Sequence, residues 1–362
     1  GSTYSSKVFR VTFLTLAVSV AVPLLGVTVL LDCPIDPQPI SLKEPPLLTG
    51  VLEPNTKLRK AERLWENQLV GPESIVNIGD VLFTGTADGK IIKIEDGELQ
   101  TIARIGHGPC GEEPAPDNFL GSLAKKSCSL CSQALGRTEE LCVPVPSLLE
   151  GPQVTCLHEP GLKQTSSSSS SWVLKGQQSS WAGCLLEYDT VTKEVKVLMV
   201  GLRFPNGVQL SPAEDFVLVQ ETTMARIRRY YVSGLMKGGA DMFVENMPGL
   251  PDNIRLSSSG GYWVAMAAVR PNPGFSWLDF LSEKTWIKRM IFKLLSQETV
   301  TKFVPKYSLV VELSETGSYK RSFHDPTGVT VAYVSEAHEH NGHLYLGSFR
   351  SPYIGRLDLQ HV

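Results

Sequence analysis

The chain has 362 residues, of which 42 % are hydrophobic and 20 % are charged. This is an ordinary globular mixture, and the length suits one large domain or two of ordinary size. A net charge of −3 leaves no broad basic field, so nucleic acid is not an expected partner. The 31 glycines and 24 prolines favour a turn-rich fold.

The N-terminal part of the chain predicts a membrane anchor. Residues 11–31 carry no charge and are long enough for a bilayer span, which needs about 20 apolar residues. Lys7 and Arg10 precede this segment and Asp32 follows it, so residues 1–10 are expected to be a cytosolic remnant and the rest extracellular or lumenal. The alternative is a cleaved signal peptide, but "LLDCPID" offers no small-x-small cleavage site. We therefore expect a single-pass type II signal-anchor in the plasma membrane or an endomembrane.

Short strand-like runs recur after a proline-rich stalk at 32–62. Between 73 and 103, four runs with β-branched residues are separated by turn residues that include "ADG" and "EDG", and Asp-Gly is a strong hairpin signal. Similar four-strand sets return at a spacing of roughly 40–50 residues, which is typical of a β-propeller. We predict an all-β, six-bladed β-propeller with one or two blades disrupted; a β-sandwich is the alternative. The expected parts are a first blade at 63–111, an atypical segment at 112–183 and the remaining blades at 184–362.

The segment 112–183 breaks this rhythm. It contains six consecutive serines and little alternation, so we expect much of it to be disordered. Six of the seven cysteines lie within or beside it, and Cys128 and Cys131 form a C-x-x-C pair that could hint at zinc. The spacings match no standard zinc finger, and an extracellular segment favours disulfides instead.

A second break, at 271–304, contains "SWLDFLSEKTWIKRMIFKLLSQETV". Its apolar residues recur near helical spacing, which predicts a helical insertion packed on one face of the propeller. Its basic and aromatic content leaves contact with a membrane surface as the alternative.

Three predicted blades begin with a proline, an oxygen-bearing side chain and then a strand: "VGPESIV", "RFPNGVQL" and "LPDNIRL". The innermost strand of each propeller blade begins near the central channel. Glu73, Asn206, Asp252 and Asn253 are therefore expected to converge on the axis. Carboxylate and amide oxygens suit Ca²⁺, which takes 6–8 oxygen ligands. The alternative is a set of unrelated turn caps, because Pro-Asn and Pro-Asp are common in turns.

The chain resembles the strictosidine-synthase-like family. The resemblance lies in these three strand entries, in the anchor followed by "PIDPQPISLKEPPLL", and in "EHNGHLYLGSFRSPYIGRL". That family is related to the paraoxonases and other calcium-dependent six-bladed propellers, and the resemblance covers residues 1–111 and 184–362. It implies an external propeller with arylesterase-like activity on a small-molecule ester or lactone. By motif match, the central metal ligands of the family fall on Glu73, Asn206, Asp252 and Asn253.

The chain departs from the family pattern in two places. The segment 112–183 lacks the "Asn-Asp-Leu"-type strand entry that supplies a further metal ligand in the family. The synthases place a catalytic glutamate where this chain has Ser335, although a shift of one residue would bring in Glu336. Strictosidine synthesis is therefore not expected.

Histidines cluster near the C-terminal strands. His338 and His340 would share one strand face and could supply a general base, with solvated strand-end residues as the alternative. The chain contains no G-x-S-x-G motif, which disfavours a serine hydrolase.

The leading interpretation is a membrane-anchored, Ca²⁺-dependent ester hydrolase whose general base is not identified. One alternative is a catalytically inactive, membrane-tethered propeller that acts as an interaction module. The other is a non-functional variant of the enzyme. The sequence identifies no protein partner.

Overall fold

The structure is a computed structural model. It describes residues 2–31, 33, 37, 39–104, 153–157, 182–188, 195–295, 299–300 and 304–362. Most of the atypical segment predicted at 112–183 lies outside the described residues, and so does the prediction that it is disordered. Residues 153–157 within that segment form a β-strand.

The described residues form five antiparallel sheets. The first sheet has the order β2-β3-β4-β5, and its strands are β2 (Pro72–Ile78), β3 (Val81–Thr86), β4 (Lys90–Glu95) and β5 (Glu98–Arg104). Asp96 and Gly97 join the last two strands with φ angles of 51° and 82°. Two consecutive positive φ angles are what a tight two-residue hairpin turn requires, and this turn was predicted from Asp-Gly.

The second sheet has three described strands in sequence order: β6 (Gln153–Leu157), β7 (Ala182–Tyr188) and β8 (Val195–Arg203). The third sheet comprises β9 (Pro205–Leu210), β10 (Phe216–Glu221), β11 (Arg226–Tyr231) and β12 (Ala240–Val244). The fourth comprises β13 (Gly249–Leu256), β14 (Tyr262–Val269), β15 (Ser308–Leu313) and β16 (Tyr319–Asp325). Strand β14 is buried along its whole length, because both of its faces pack against other parts of the core.

The last sheet joins the two ends of the β-fold. Its strands are β17 (Val334–His340), β18 (His343–Ser348), β19 (Ile354–Asp358) and β1 (Glu62–Leu64). The sequence placed the beginning of the first blade at residue 63, whereas β1 pairs with β19 through Glu62 opposite Arg356. Local pattern could not show this, because the pairing joins residues almost 300 positions apart.

The first strands of the sheets pack side by side. Strand β13 contacts β9 and β17, β17 contacts β2, and β6 contacts β9. Two glycines allow the closest approaches. A Cβ on Gly207 would lie 2.6 Å from the Asp252 carbonyl oxygen, and a Cβ on Gly347 would lie 2.8 Å from the Glu73 carbonyl oxygen. The result is an all-β, propeller-like arrangement; six blades are not confirmed, since the described residues contain five sheets.

Three α-helices have described bounds, α1 (Ser2–Leu30), α2 (Trp277–Ser282) and α3 (Thr285–Leu294), and residues 299–300 are also helical. Helices α2 and α3 form the insertion expected at 271–304. Helix α1 covers most of the segment predicted as an anchor. Over the side chains that the structure describes, none of the helices combines the length and the apolar character needed to cross a membrane. The anchor at 11–31 is therefore not confirmed.

Residues 40–48 of the predicted stalk at 32–62 pack against the insertion, whereas the residues from 50 onward pack against the sheets. Ile40 and Leu48 are buried, and their backbone N–H groups donate to carbonyl oxygens of the insertion at 3.0 and 2.7 Å. The guanidinium of Arg270 is buried and donates to the carbonyl oxygen of Lys43 at 2.6 Å. The chain between α1 and the sheets is thus held to the insertion.

The close approach of β9 and β13 gives a stability prediction. Gly207→Ala should lower the free energy of unfolding by about 1–3 kcal/mol, because the new Cβ meets backbone atoms that cannot rotate away. Gly85→Ala is the control, since a Cβ there has no neighbour within 4 Å. Urea unfolding of both variants checks the prediction, and equal midpoints would contradict it.

Candidate metal centre

Four of the first strands carry an irregularity at or next to a residue of the candidate site. The strand register shifts at Glu73 in β2, at Asn206 in β9, at Asp252 and Asn253 in β13, and next to Glu336 in β17. In the first three strands a proline comes directly before the irregular residue, and proline cannot donate a ladder hydrogen bond. Such bulges bend a strand and re-aim its side chains. The bulge in β13 matters most, because adjacent residues of a regular strand point to opposite faces.

Asn206 and Asp252 meet directly. The Asn206 Nδ2 donates a short hydrogen bond to the Asp252 Oδ1, and the Asp252 side chain is buried. Thr222 Oγ1 donates to the carbonyl oxygen of Pro251 at 2.7 Å and fixes the entry of β13. Neighbouring sheets therefore position this pair.

The backbone of Glu73 is also held by its neighbours. Its carbonyl oxygen accepts from Ser335 Oγ at 3.1 Å and lies 3.5 Å from Asn253 Nδ2. The Glu73 residue keeps substantial contact with solvent although protein atoms surround its carboxyl group.

Glu336 is a further carboxylate of this cluster. It is fully buried, and its Oε2 accepts from Arg255 Nη2 at 2.6 Å and from the Ile75 backbone N–H at 3.2 Å. Its Oε1 accepts from the Ala337 N–H at 3.0 Å. The sequence suggested Glu336 only through a shifted alignment, and it did not suggest Arg255. Alternation along β13 could have found Arg255, because it lies two residues after Asn253.

All three carboxyl groups have raised pKa values. Burial is the main cause for each one. Repulsion from Glu336 raises the pKa of Glu73 further, and both of these carboxylates raise the pKa of Asp252. Hydrogen bonding from Asn206 to Asp252 and the charge of Arg255 beside Glu336 act in the opposite direction. The cluster is thus rich in oxygen atoms and short of positive charge.

The structure brings together all four residues that the sequence singled out. Within the described ranges, however, no group of three or more His, Cys, Asp or Glu side chains is arranged to hold a metal ion. The predicted set has only two carboxylates, Glu73 and Asp252, and its other members are amides. The third carboxylate, Glu336, is already paired with Arg255.

His338 lies further along β17 than Glu336, by about 6.6 Å for two residues of strand. Its Nε2 lies 2.8 Å from Asn77 Oδ1, and burial lowers its pKa to about 4. His338 is therefore neutral at physiological pH. His340 lies nearer the exposed end of the strand, 3.6 Å from Asp80.

A separate cavity of about 400 Å³ lies between the first and last sheets. Its wall includes Trp65, Asp80, Tyr345 and Arg356, and none of the axial residues lines it. It carries no cluster of acids or nucleophiles comparable with the axial one.

Two family models match this chain. The model described as strictosidine synthase matches residues 170–235, and the model described as strictosidine synthase-like, N-terminal, matches residues 50–94. The second match includes Glu73, and the first includes Asn206. These matches indicate the class of the strictosidine synthase-like proteins.

Similar curated proteins narrow this class. Adipocyte plasma membrane-associated protein from Gallus gallus is 73 % identical, covering 100 % of this chain and 93 % of that protein. The protein of the same name from Homo sapiens is 61 % identical over the same shares. The Drosophila melanogaster protein called adipocyte plasma membrane-associated protein Hemomucin is 28 % identical, covering 86 % of this chain and 62 % of that protein. The chain belongs to the family of adipocyte plasma membrane-associated proteins.

The alignment with the Gallus gallus protein is 390 positions long, although this chain has only 362 residues. The relative therefore has residues that this chain lacks. The match covers the whole chain, and the strictosidine synthase model begins at residue 170, so the similarity extends beyond the expected ranges 1–111 and 184–362.

Solved structures with a similar chain trace include a gluconolactonase from Xanthomonas campestris, 11 % identical with a TM-score of 0.44, covering 89 % of this chain and 96 % of that one. They also include the calcium-binding protein regucalcin from Agrobacterium tumefaciens, 9 % identical with a TM-score of 0.33, covering 78 % and 74 %.

The buried pair of Arg255 and Glu336 gives a second prediction. Arg255→Met should lower the free energy of unfolding by about 3–5 kcal/mol, because it leaves a buried carboxylate without its cation. Adding Glu336→Gln should recover much of this loss, since no charge then remains unpaired. Urea unfolding of the single and double variants checks this, and a double variant no more stable than Arg255→Met would contradict it.

A third prediction concerns pH. Because these pKa values are raised, the folded protein binds more protons than the unfolded chain at pH values above the ordinary pKa of a carboxyl group. With divalent cations chelated, the free energy of unfolding should fall as pH rises from about 4.5 through the raised pKa values, and then level off. Asp252→Asn should make this slope shallower and raise stability at neutral pH. Urea unfolding of the parent chain and of Asp252→Asn across this pH range, in the presence of chelator, checks the prediction. An equal slope of unfolding free energy against pH in both proteins would contradict it.

Proposed function

We propose that this chain is a membrane-anchored, Ca²⁺-dependent hydrolase of small-molecule esters or lactones. The observation that carries the proposal is the set of bulged strand entries that gathers Glu73, Asn206, Asp252 and Asn253 beside one another. The general base is not assigned, and strictosidine synthesis is not proposed.

The residues fit a calcium ion in two respects. Carboxylate and amide oxygens are the hard ligands that Ca²⁺ takes, and a half-turn of the Asn206 amide would present Oδ1 where Nδ2 now lies. The carboxyl groups also repel one another at short range. A divalent cation would relieve this repulsion and lower the pKa values of the carboxyl groups.

Bound Ca²⁺ would supply a Lewis acid that polarises the substrate carbonyl and stabilises the oxyanion formed when water attacks. The protein's part is to hold and orient. Glu73 and Asp252 would supply charged oxygens, and Asn206 and Asn253 neutral ones. Arg255 holds Glu336 through an ion pair, so this carboxylate stays fixed beside the site. Glycines at the strand crossings keep the four entries close enough to share one ion.

Attachment to a membrane is part of the proposal. From residue 11 onward, the described side chains of α1 carry no charge, and most are apolar and exposed. Phe9, Val11 and Leu16 are 72 %, 64 % and 65 % exposed. A helix that is apolar on all sides gains stability when lipid surrounds it. Relatives carry the words "plasma membrane-associated" in their names. We propose that residues 11–31 cross the bilayer once, with the sheets on the extracellular or lumenal side.

A second candidate is a propeller without turnover that acts as an interaction module. The observation that favours it is that the alignment with the Gallus gallus protein is longer than this chain. We propose that the residues absent here include the strand entry that the sequence pattern lacks at 112–183. Such a protein would bind Ca²⁺ weakly or not at all and would hydrolyse no ester.

The test is hydrolysis of an aryl ester by the purified full chain. Ca²⁺ at 100 times its dissociation constant should raise the free energy of unfolding by about 2.7 kcal/mol. Chelation should abolish hydrolysis. Asp252→Ala should lower kcat/KM at least about 100-fold, equivalent to roughly 2.7 kcal/mol of transition-state stabilisation.

Asp96→Asn is the matched control, because it removes one acid from a hairpin turn whose positive φ angle asparagine also accepts. Its activity should equal that of the parent chain. Hydrolysis that ignores both chelator and Asp252→Ala would rule out the metal mechanism. Calcium binding without any hydrolysis would favour the interaction module.

A further inference from the structure

Helix α3 buries a lysine beside Phe292 and exposes apolar side chains on its opposite face. Lys288 is 1 % exposed inside the protein, where its Nζ donates to the Ser282 carbonyl oxygen at 2.9 Å and burial lowers its pKa to about 8. Trp286 and Leu294, on the opposite face, are 69 % and 53 % exposed. These two residues and Met290 are spaced by four positions, so they form one apolar stripe. A helix that faces water normally has the opposite arrangement.

The residues before α3 extend this apolar surface. Phe275, Trp277 and Phe280 pack against one another, with ring centroids 4.9, 5.6 and 6.0 Å apart. All three remain exposed, the first two by 58 % and 54 %. Together with the α3 stripe they form a surface that we call the aromatic face: Phe275, Trp277, Phe280, Trp286, Met290 and Leu294.

The aromatic face is held next to the C-terminal end of α1. Lys293 Nζ of α3 donates to the Thr28 carbonyl oxygen of α1 at 2.8 Å. Cys33, just beyond α1, packs against the cluster of Phe292 and Val300. These contacts fix how far the aromatic face lies from the helix that we propose to be the anchor.

Basic side chains border the aromatic face. Lys284 Nζ lies 4.3 Å from the centroid of the Phe280 ring, and Arg289 is exposed on α3. Asp279, an acid of the same region, is already paired with Arg270. Aromatic residues bordered by Lys and Arg suit the boundary between acyl chains and phosphate headgroups.

We propose that the aromatic face lies in the surface of the lipid bilayer that carries α1. This inference rests on the membrane attachment proposed above, and not on the hydrolase activity. The connection from β14 to β15, which contains α2 and α3, leaves the sheet at the end where the first strands begin. The axial cluster would therefore open on the side that faces the bilayer.

Tryptophan fluorescence of the full chain in lipid vesicles tests this inference directly. The vesicles contain phosphatidylserine and a phosphatidylcholine brominated in the upper acyl chains, and bromine quenches tryptophan on contact. Helix α1 contains no tryptophan, so it contributes no signal. In the double variant Trp277→Phe/Trp286→Phe, the fluorescence quenched by brominated lipid should fall at least twofold. The matched control, Trp65→Phe, changes a residue in the chain between β1 and β2 and should leave it unchanged.

Equal quenching in the parent chain and the double variant would overturn the inference. Quenching of Trp277 and Trp286 by aqueous iodide would show that they lie in water. Protection from both quenchers would show that another protein surface covers them, which also overturns it. Alkaline carbonate washing tests the anchor separately: a chain that stays with the vesicles but shows no lipid quenching keeps the anchor and loses only this inference. Hydrolysis measured on the same vesicles reports on the hydrolase proposal independently.

Discussion

The bulge at the beginning of each first strand is the constraint on which the candidate site depends. A regular strand would send Asp252 and Asn253 to opposite faces, and at most one of them could reach the axis. The irregular register at Pro251 removes this restriction, and similar irregularities act at Glu73 and Asn206. The price is lost ladder hydrogen bonds, which proline could not donate in any case. Close approach of neighbouring sheets, permitted by Gly207 and Gly347, then brings the bulged residues together.

The charges of the clustered side chains decide what this arrangement could do chemically. Three carboxyl groups with raised pKa values share a small volume with one guanidinium. A fold built only for stability would gain from replacing such a cluster by apolar side chains, since buried charge is costly even when paired. Strongly perturbed carboxyl groups of this kind are enriched at functional sites, and this is why we propose a bound cation here. The amides add oxygen ligands without adding repulsion.

The insertion between β14 and β15 bears on how the candidate site would lie relative to a membrane. Its helices hold the chain that follows α1, through Arg270 and the backbone of Ile40 and Leu48. Orientation of the sheets relative to a bilayer would then be set by packing and not by a flexible tether. The buried Lys288 and the exposed Trp286 on the same helix are consistent with a surface made for lipid.

The sequence by itself determined the all-β class, the Asp-Gly hairpins and the helical insertion, because these depend on local turn chemistry and on short patterns of residues. It also singled out Glu73, Asn206, Asp252 and Asn253, whose role as metal ligands stays a prediction. It also suggested the family, through motifs that the comparisons bear out. Only the tertiary structure decided that β1 completes the last sheet, that Glu336 and Arg255 join the axial cluster, and that the stalk packs on the insertion. These features join residues about 80 to almost 300 positions apart, or about 230 for the stalk. Their energy comes from burial and charge pairing between distant segments, which no local pattern of residues records.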